Sequence, residues 1–255
     1  MSSVETPVLE TRGLGRRFGG LHAVSDVSFS VPHGEVLGVI GPNGAGKSTF
    51  INLVTGHIKP TSGRVLIEGK DLTGRKPWTV ARAGVARTFQ IVKPFRGMNV
   101  RENVAVGVLY GPHHASTMSS ALSRADELLE EVGLAAVADR APAELSVADA
   151  RRLEFAKALA GSPKLLLLDE VMAGLRPAEI EPSLELIRRL KERGLTIVVV
   201  EHVMKAILAI SDRVLVIHQG KVLTSGEPRT VLSDQRVIEA YLGQRYASRR
   251  EGKDA

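Results

Sequence analysis

The chain has no cysteine, few aromatic residues and no long apolar run. Without cysteine it cannot be a disulfide-stapled scaffold, and the absence fits a reducing compartment. The longest aliphatic runs, at residues 165–168 and 197–200, have the length of strands, whereas a membrane-spanning helix needs roughly 18 apolar residues. Aromatic residues make up only 4% and do not alternate with basic clusters, which argues against a stacking surface for single-stranded nucleic acid. Residues 1–12 lack the apolar segment of a signal peptide, so we expect a cytoplasmic protein.

The composition that remains is that of a globular protein. Lys and Arg number 34 and Asp and Glu 28, which gives a formal net charge of +6 over 255 residues. Hydrophobic residues make up 44% and charged residues 24%, which excludes a disordered or collagen-like chain. The length allows one large domain or two small ones. The modest positive excess is compatible with nucleic acid or an anionic membrane surface.

The hydrophobic pattern predicts an α/β core with a helical insert. Residues 8–14 and 23–31 indicate β-structure, and the apolar run at 36–40 leads through a glycine-rich turn into a helical segment. The wholly apolar runs at 165–168 and 197–200 are typical of parallel strands that are covered on both faces. Between them and the first strands, the sequence from about residue 89 to 162 turns helical, with apolar residues recurring on one face.

The glycine-rich turn carries the most specific motif of the chain. Residues 41–49 read GPNGAGKST and match G-x-x-x-x-G-K-[ST] between a predicted strand and a predicted helix. Glycines let successive backbone N–H groups face phosphate oxygens, and the start of the helix adds partial positive charge. Lys47 can reach the β- and γ-phosphates, and the hydroxyl of Ser48 can ligate Mg²⁺. The motif therefore predicts a nucleotide site.

Acidic residues follow the buried strands. Asp169 and Glu170 end the run at 165–168, where ligands of parallel sheets bind, so Asp169 can hold Mg²⁺ and Glu170 can polarise the attacking water. A surface ion pair is the alternative interpretation. The second run ends in Glu201 and His202, and His202 could contact the γ-phosphate if its strand lies beside the phosphate-loop strand. A purely structural role for His202 stays equally open.

Taken together in order, these motifs resemble the ATPase subunit of an ATP-binding cassette (ABC) transporter. The resemblance extends from about residue 9 to 243 and rests on Phe18, GPNGAGKST, Gln90 in RTFQ, LSVAD at 145–149, LLLLDE at 165–170, AGLRP at 173–177 and His202. It implies a P-loop NTPase fold with a RecA-like parallel-sheet core, an N-terminal antiparallel β-subdomain and an inserted α-helical subdomain at about 89–162. Residues 1–245 would form the single ABC ATPase domain and 246–255 a polar C-terminal tail.

Several longer segments point to one branch of this family. RRFGGLHAV, ARTFQ, GMNVRENVAVG, ISDRVLVIHQG and VIEAYLG resemble subunits of branched-chain amino acid importers. Relatives in that branch carry urea, short amides or other small organic solutes. The implied function is an ATP-hydrolysing subunit that powers uptake of such solutes.

The resemblance also assigns roles to individual residues. Phe18 would stack on adenine, with core packing as its alternative, while Glu170 would act as general base and His202 as γ-phosphate sensor. The implied nucleotide-binding loop consists of Gly41, Pro42, Asn43, Gly44, Ala45, Gly46, Lys47, Ser48 and Thr49. Gln90 would contact Mg²⁺ and the attacking water, so that the implied metal ligands are Ser48, Gln90 and Asp169.

The signature segment departs from the family pattern. The usual LSGGQ is LSVAD here, formed by Leu145, Ser146, Val147, Ala148 and Asp149, and it would contact the ATP held by a second subunit. Glycine permits a close backbone approach that the side chains of Val147 and Ala148 can obstruct. An acid such as Asp149 disfavours a nearby triphosphate unless it points away. We therefore expect an active protein whose site in trans is weaker.

The partners implied by the resemblance are ATP and Mg²⁺, transmembrane permease subunits, a second ATPase subunit and a separate solute-binding protein. Residues 95–103 would line the groove for a helix of the membrane subunit, at the cytoplasmic face of the membrane, and no nucleic acid is expected. The alternative is a soluble ABC ATPase that acts on nucleic acid, ribosomes or an assembly complex, although such proteins often carry tandem cassettes. A GTPase or small-molecule kinase is disfavoured because the chain has no N-K-x-D motif.

Overall fold

The computed structural model describes residues 6–89, 93–111, 115 and 117–241. Its strands are β1 (Leu9–Phe18), β2 (Leu21–Val31), β3 (Val36–Ile40), β4 (Ser62–Ile67), β5 (Lys70–Asp71), β6 (Val85–Arg87), β7 (Leu165–Asp169), β8 (Thr196–Val200), β9 (Arg213–His218) and β10 (Lys221–Gly226). Its helices are α1 (Lys47–Val54), α2 (Pro77–Arg82), α3 (Val100–Tyr110), α4 (Met118–Glu131), α5 (Val147–Leu159), α6 (Pro177–Glu192), α7 (Met204–Ile210) and α8 (Pro228–Leu232). Within these residues no helix is both long and apolar enough to cross a membrane. Gln90 and the predicted tail at 246–255 lie outside the described residues.

The strands form a large and a small sheet, which confirms the predicted fold class. The large sheet has the order β10-β9-β3-β8-β7-β6 and is parallel except for the hairpin strand β10. The small sheet, β2-β1-β4-β5, is antiparallel and comes from the N-terminal part of the chain. A hairpin turn at Gln219 and Gly220 joins β9 to β10.

The apolar strands of the large sheet are buried on both faces because different layers cover them. Along β7, Leu165 and Leu167 belong to a core shared with the small sheet and α1. Leu166 and Leu168 face the opposite way, into a core shared with the helices of the middle and C-terminal segments. Side chains alternate between the faces of a strand, so a wholly apolar strand requires two cores.

The middle of the chain is helical, as its periodicity predicts. Helix α3 begins with a capping box in which Asn99 and Glu102 satisfy each other's backbone N–H groups. Helix α3 packs against α4 and α5. On α4 the predicted apolar face is buried at Ala125 and Leu129. The three helices thus form a separate layer beside the large sheet.

Strand order brings the functional segments to one edge. The parallel strands β3, β8 and β7 are neighbours, so the turns that follow their carboxyl ends emerge side by side. The phosphate loop follows β3, the pair Asp169 and Glu170 closes β7, and Glu201 and His202 follow β8. The proposed neighbourhood of the strand before His202 and the phosphate-loop strand is therefore present.

Candidate nucleotide site

The phosphate loop connects the end of β3 to α1 and is closed by its own lysine. The Nζ of Lys47 donates to the carbonyl oxygens of Gly41 at 2.6 Å and Pro42 at 3.0 Å. Lys47 is buried. Burial lowers the pKa of Lys47, while the negative charges of Glu170 and Asp169 act in the opposite direction. The ammonium group is thus held at the loop, where it interacts electrostatically with the carboxylates of Glu170 and Asp169.

Backbone contacts fix the shape of the phosphate loop. Gly46 has a φ of +107°, and a Cβ there would clash with the carbonyl oxygen of Ala23 in β2. From the other side, Gly220 donates its N–H to Ala45 O at 2.9 Å, and its own carbonyl accepts from Ser25 N at 2.7 Å. The glycine at position 46 is therefore required both by its dihedral angle and by the lack of space.

A pocket of about 750 Å³ brings most of the predicted nucleotide-site residues together. Its lining includes Phe18, residues 43–49, Glu170, His202 and Gly220. The ring of Phe18 is 43% exposed, which rules out core packing as its main role, and the guanidinium of Arg16 lies 4.5 Å from the ring centroid. We call this cavity the phosphate-loop pocket.

Glu170 and His202 meet in this pocket from neighbouring strands. The Nε2 of His202 lies 2.6 Å from Oε1 of Glu170. Glu170 has a φ of +51°, an uncommon backbone conformation for a residue other than glycine. Such strained positions are concentrated at functional sites. The two side chains are oriented by each other at the edge where a terminal phosphate is predicted.

Asp169, one residue earlier, is held by an ion pair that the sequence did not predict. Its Oδ2 lies 3.0 Å from Nη2 of Arg87, at the end of β6, and its backbone N–H donates to the hydroxyl of Thr88 at 3.2 Å. The side chains of Arg87 and Asp169 are only 10% and 7% exposed. Burial raises the pKa of Asp169, and the positive charge of Arg87 opposes that rise.

Glu201 ties the loops after β7 and β8 together. Its Oε1 accepts the N–H of Met172 at 2.8 Å, and its Oε2 accepts the N–H of His202 at 3.3 Å. Glu201 is 1% exposed, and burial raises its pKa while these two N–H donors oppose the rise. The carboxylate thereby sets the spacing between the segment that carries Glu170 and the segment that carries His202.

The signature segment does not line the phosphate-loop pocket. Ser146 caps α5: its hydroxyl accepts the N–H of Asp149 at 3.1 Å and donates to the carboxylate of Asp149 at 2.8 Å. Asp149 is also 3.4 Å from the guanidinium of Arg152, whereas Val147 is 64% exposed. The acid that replaces the usual Gln is thus directed at the start of its own helix.

Two residues of this site were not identified from the sequence. Arg87 stands in ARTFQ, but its strand β6 is only three residues long and has no readable periodicity. Glu201 was noted only as the neighbour of His202, although an acid after a wholly apolar strand is itself a signal of a buried polar role. Gln90, which was predicted beside the metal and water, lies outside the described residues.

The donor set suits Mg²⁺ better than a transition metal. Among the residues that the structure describes, no three His, Cys, Asp or Glu side chains are grouped to hold a metal ion by themselves. Mg²⁺ prefers a hydroxyl or one or two carboxylates together with phosphate oxygens and water. The exposed hydroxyl of Ser48 and the carboxylate of Asp169 are ligands of this kind.

Comparison with known proteins identifies the family. A family model described as ABC transporter matches residues 24–173, which is more than half of the chain. The chain belongs to the ABC transporter family. A second model, described as branched-chain amino acid ATP-binding cassette transporter, matches residues 221–247 of this ABC protein.

Curated relatives match the ABC chain over nearly its whole length. The high-affinity branched-chain amino acid transport ATP-binding protein LivG of Escherichia coli K12 is 42% identical over 251 residues, covering 93% of this chain and 98% of LivG. The corresponding protein BraF of Pseudomonas aeruginosa is 39% identical over the same shares.

Solved structures agree with the fold of this ABC cassette. The ADP conformation of MJ1267, an ATP-binding cassette of an ABC transporter, has a TM-score of 0.84 at 33% identity and covers 93% of this chain and 99% of that chain. A dimeric post-hydrolysis state of the cassette MJ0796, bound to ADP and Pi, has a TM-score of 0.78 at 25% identity, covering 87% and 99%. The chain is therefore an ABC ATPase and binds ATP.

Proposed function

We propose that this chain is the ATP-hydrolysing subunit of an importer for branched-chain amino acids or related small solutes. The observation that carries the proposal is the phosphate-loop pocket, in which Lys47, Glu170 and His202 meet. The relatives LivG and BraF, which are named for branched-chain amino acid transport, support the choice of solute.

ATP binding follows from the shape and charge of the pocket. The backbone N–H groups of residues 43–49 and the start of α1 attract the phosphate groups, and Lys47 adds a full positive charge. The exposed ring of Phe18 at the same pocket provides a face on which adenine stacks. The nucleotide thereby spans from the small sheet to the edge of the large sheet.

Hydrolysis requires a base beside the terminal phosphate. Glu170 takes a proton from the attacking water, and the contact of 2.6 Å with His202 fixes the direction of its carboxylate. His202 in turn presents an imidazole to the γ-phosphate. Catalysis of this reaction rests on positioning and on stabilising charge rather than on covalent chemistry.

Ser48 and Asp169, with Gln90, would hold the Mg²⁺ that the reaction requires. When bound, the ion neutralises charge on the β- and γ-phosphates. Burial raises the pKa of Asp169, while the positive charge of Arg87 favours its ionised form. Lys47 supplies further positive charge from the phosphate loop.

A complete site requires a second ATPase subunit, identical or a sister chain. Ser146 lies outside the phosphate-loop pocket of its own chain, which supports its role at the ATP of a partner. To reach that ATP, the hydroxyl of Ser146 must leave the carboxylate of Asp149. The dimeric state of the related cassette MJ0796 supports this arrangement.

A second cavity supports attachment to permease subunits at the cytoplasmic face of the membrane. This groove of about 630 Å³ lies between the large sheet and the helical layer, and its lining includes Phe95 and Asn103 of the predicted segment. Exposed aromatic side chains border it: Trp78 is 62% and Tyr110 81% exposed. Contiguous exposed apolar surface marks a protein interface. We call this cavity the groove.

The variant Glu170→Gln tests the catalytic assignment. Gln keeps the size of the side chain but cannot accept the proton, so we expect phosphate release to stop while a fluorescent ATP analogue still binds. Gel filtration with ATP should show a trapped dimer. Glu192→Gln, at the exposed end of α6, is the matched control and should hydrolyse normally. Normal turnover of Glu170→Gln refutes the assigned base.

The transport assignment is tested separately in the cell. We expect the chain to co-purify with permease subunits from detergent-solubilised membranes. We also expect a secreted solute-binding protein to be encoded by a neighbouring gene. A deletion strain should lose uptake of radiolabelled leucine, isoleucine or valine, or of a small amide. Recovery of the chain only with ribosomes or DNA would instead favour the soluble ABC ATPase.

A further inference from the structure

Arg87 lines the groove and also contacts a residue of the nucleotide site. Its guanidinium lies in the wall of the groove, together with Thr55, His57 and Phe89. The same guanidinium pairs with Asp169, the predicted Mg²⁺ ligand, at 3.0 Å. The groove and the phosphate-loop pocket share no lining residue, and Arg87 lines only the groove.

The two ends of the Arg87 guanidinium are held by different elements. Nη2 reaches Asp169 on β7, whereas Nη1 donates to Asn52 Oδ1 on α1 at 2.7 Å and to Thr55 Oγ1 at 3.4 Å. A planar guanidinium can bridge two acceptors in a fixed geometry, which a lysine ammonium group on a flexible stem cannot do. Arg87 therefore holds Asp169 in a fixed position relative to the helix that follows the phosphate loop.

Aromatic contacts connect Arg87 to the floor of the groove. The guanidinium lies 4.8 Å from the ring centroid of Phe89, and that ring meets His57 edge-on at 6.0 Å. All three side chains line the groove. A group that enters the groove therefore meets the aromatic side chains packed against Arg87.

We propose that Arg87 is a positioning residue that couples the groove to the phosphate-loop pocket through its ion pair with Asp169. Because Arg87 fixes one carboxylate oxygen of Asp169, a shift of the guanidinium changes how Asp169 is presented toward the metal site. Binding in the groove and binding of the Mg²⁺-nucleotide are then linked, and by thermodynamic reciprocity each affects the other equally. The inference rests on the proposed function, since it takes Asp169 as a metal ligand.

The chain contains a reporter for this coupling. Trp78 is its sole tryptophan, lies at the groove and is largely exposed, so its emission reports on the groove alone. The full-length chain is mixed with a non-hydrolysable ATP analogue, and Trp78 emission is compared with Mg²⁺ present and with Mg²⁺ removed by EDTA. We expect a Mg²⁺-dependent change in emission in the wild type and its loss in Arg87→Gln.

Two further variants make the test specific. Arg82→Gln removes a positive charge from the same groove, at the exposed end of α2, and should keep the response. Arg87→Lys keeps a charge opposite Asp169 but cannot bridge to Asn52, so its response should be reduced. Thermal unfolding followed by circular dichroism shows whether each variant is folded. If Arg87→Gln does not fold, the test of the coupling rests on the Mg²⁺-dependent change in Trp78 emission of Arg87→Lys.

The outcomes separate this inference from the proposed function. If folded Arg87→Gln or Arg87→Lys shows the same Mg²⁺-dependent change in Trp78 emission as the wild type, the coupling is overturned. The contact with Asp169 is then only a structural ion pair. No Mg²⁺-dependent change in the wild type, while a fluorescent ATP analogue still binds, overturns it as well. If the analogue does not bind to the wild-type chain at all, the proposed function fails first.

Discussion

Glu201 offers the sharpest test of how the catalytic loops are held. Its carboxylate accepts a buried N–H from Met172 and a partly buried N–H from His202, and Glu201→Ala leaves both without that acceptor. An unsatisfied buried donor costs about 1–3 kcal/mol, so we expect a loss of about 2–4 kcal/mol in the free energy of unfolding. The estimate stays below the sum of two full penalties because the bond from His202, at 3.3 Å, is the longer and weaker of the two.

Urea unfolding at neutral pH measures this loss. Glu201→Gln keeps one carbonyl oxygen for Met172 but turns an amide toward the N–H of His202, so we expect a loss of only about 1 kcal/mol. Phosphate release should fall in both variants even where they are fully folded, because the spacing between Glu170 and His202 is no longer fixed. A Glu201→Ala variant within about 0.5 kcal/mol of the wild type refutes the reasoning.

The pH dependence provides an independent check on Glu201. Burial raises its pKa above the ordinary value of 4.5, so the folded state binds the proton more tightly than the unfolded state. Its contribution to stability is therefore present below about pH 4.5 and is lost as pH rises through the raised pKa. The unfolding free energy of the wild type, relative to that of Glu201→Gln, should therefore fall as the pH rises from about 4.5 through the raised pKa of Glu201. A difference that stays constant between about pH 4 and 8 contradicts the assignment.

Other substitutions test the remaining parts of the site. Gly46→Ala should abolish binding of a fluorescent ATP analogue, because its Cβ meets a backbone carbonyl. Gly44→Ala has room for its Cβ but is strained by a φ of +75°, so it should retain part of the binding. Phe18→Ala should weaken nucleotide affinity about tenfold with less than 1 kcal/mol change in unfolding free energy, since the side chain is not part of the buried core. Asp149→Gln should free the hydroxyl of Ser146 and raise the ATPase rate per dimer, measured as phosphate release; an unchanged or lower rate contradicts the view that Asp149 weakens the site in trans.

Much of the fold could be predicted because its signals are local. The phosphate loop is a contiguous motif between a strand and a helix. The apolar runs at 165–168 and 197–200 contain no polar residue, which by itself predicts that they are buried. Helix faces such as the one carrying Ala125 and Leu129 follow from spacing alone. The spacing of Ser146 and Asp149 could also have been read as a helix cap, since an acid three residues after a serine is a known signal.

What could not be predicted depends on contacts between distant segments. The pairing of Arg87 with Asp169 requires knowing that β6 lies beside β7, and three residues give no period from which to place that strand. The bonds of Glu201 likewise depend on the turn after β7 reaching the end of β8. Phe18 could be core or surface by its residue type, and only its 43% exposure decides between the two.

The hydrogen bonds of Gly220 to Ala45 and Ser25 hold the phosphate loop through contacts within the fold itself. Ordering a loop at the moment of binding costs conformational entropy, and here folding has already met that cost. Nucleotide affinity therefore depends on a hairpin turn that lies far along the chain from the phosphate-loop motif. Insertions or deletions near residue 220 should consequently impair ATP binding as severely as changes within the motif itself.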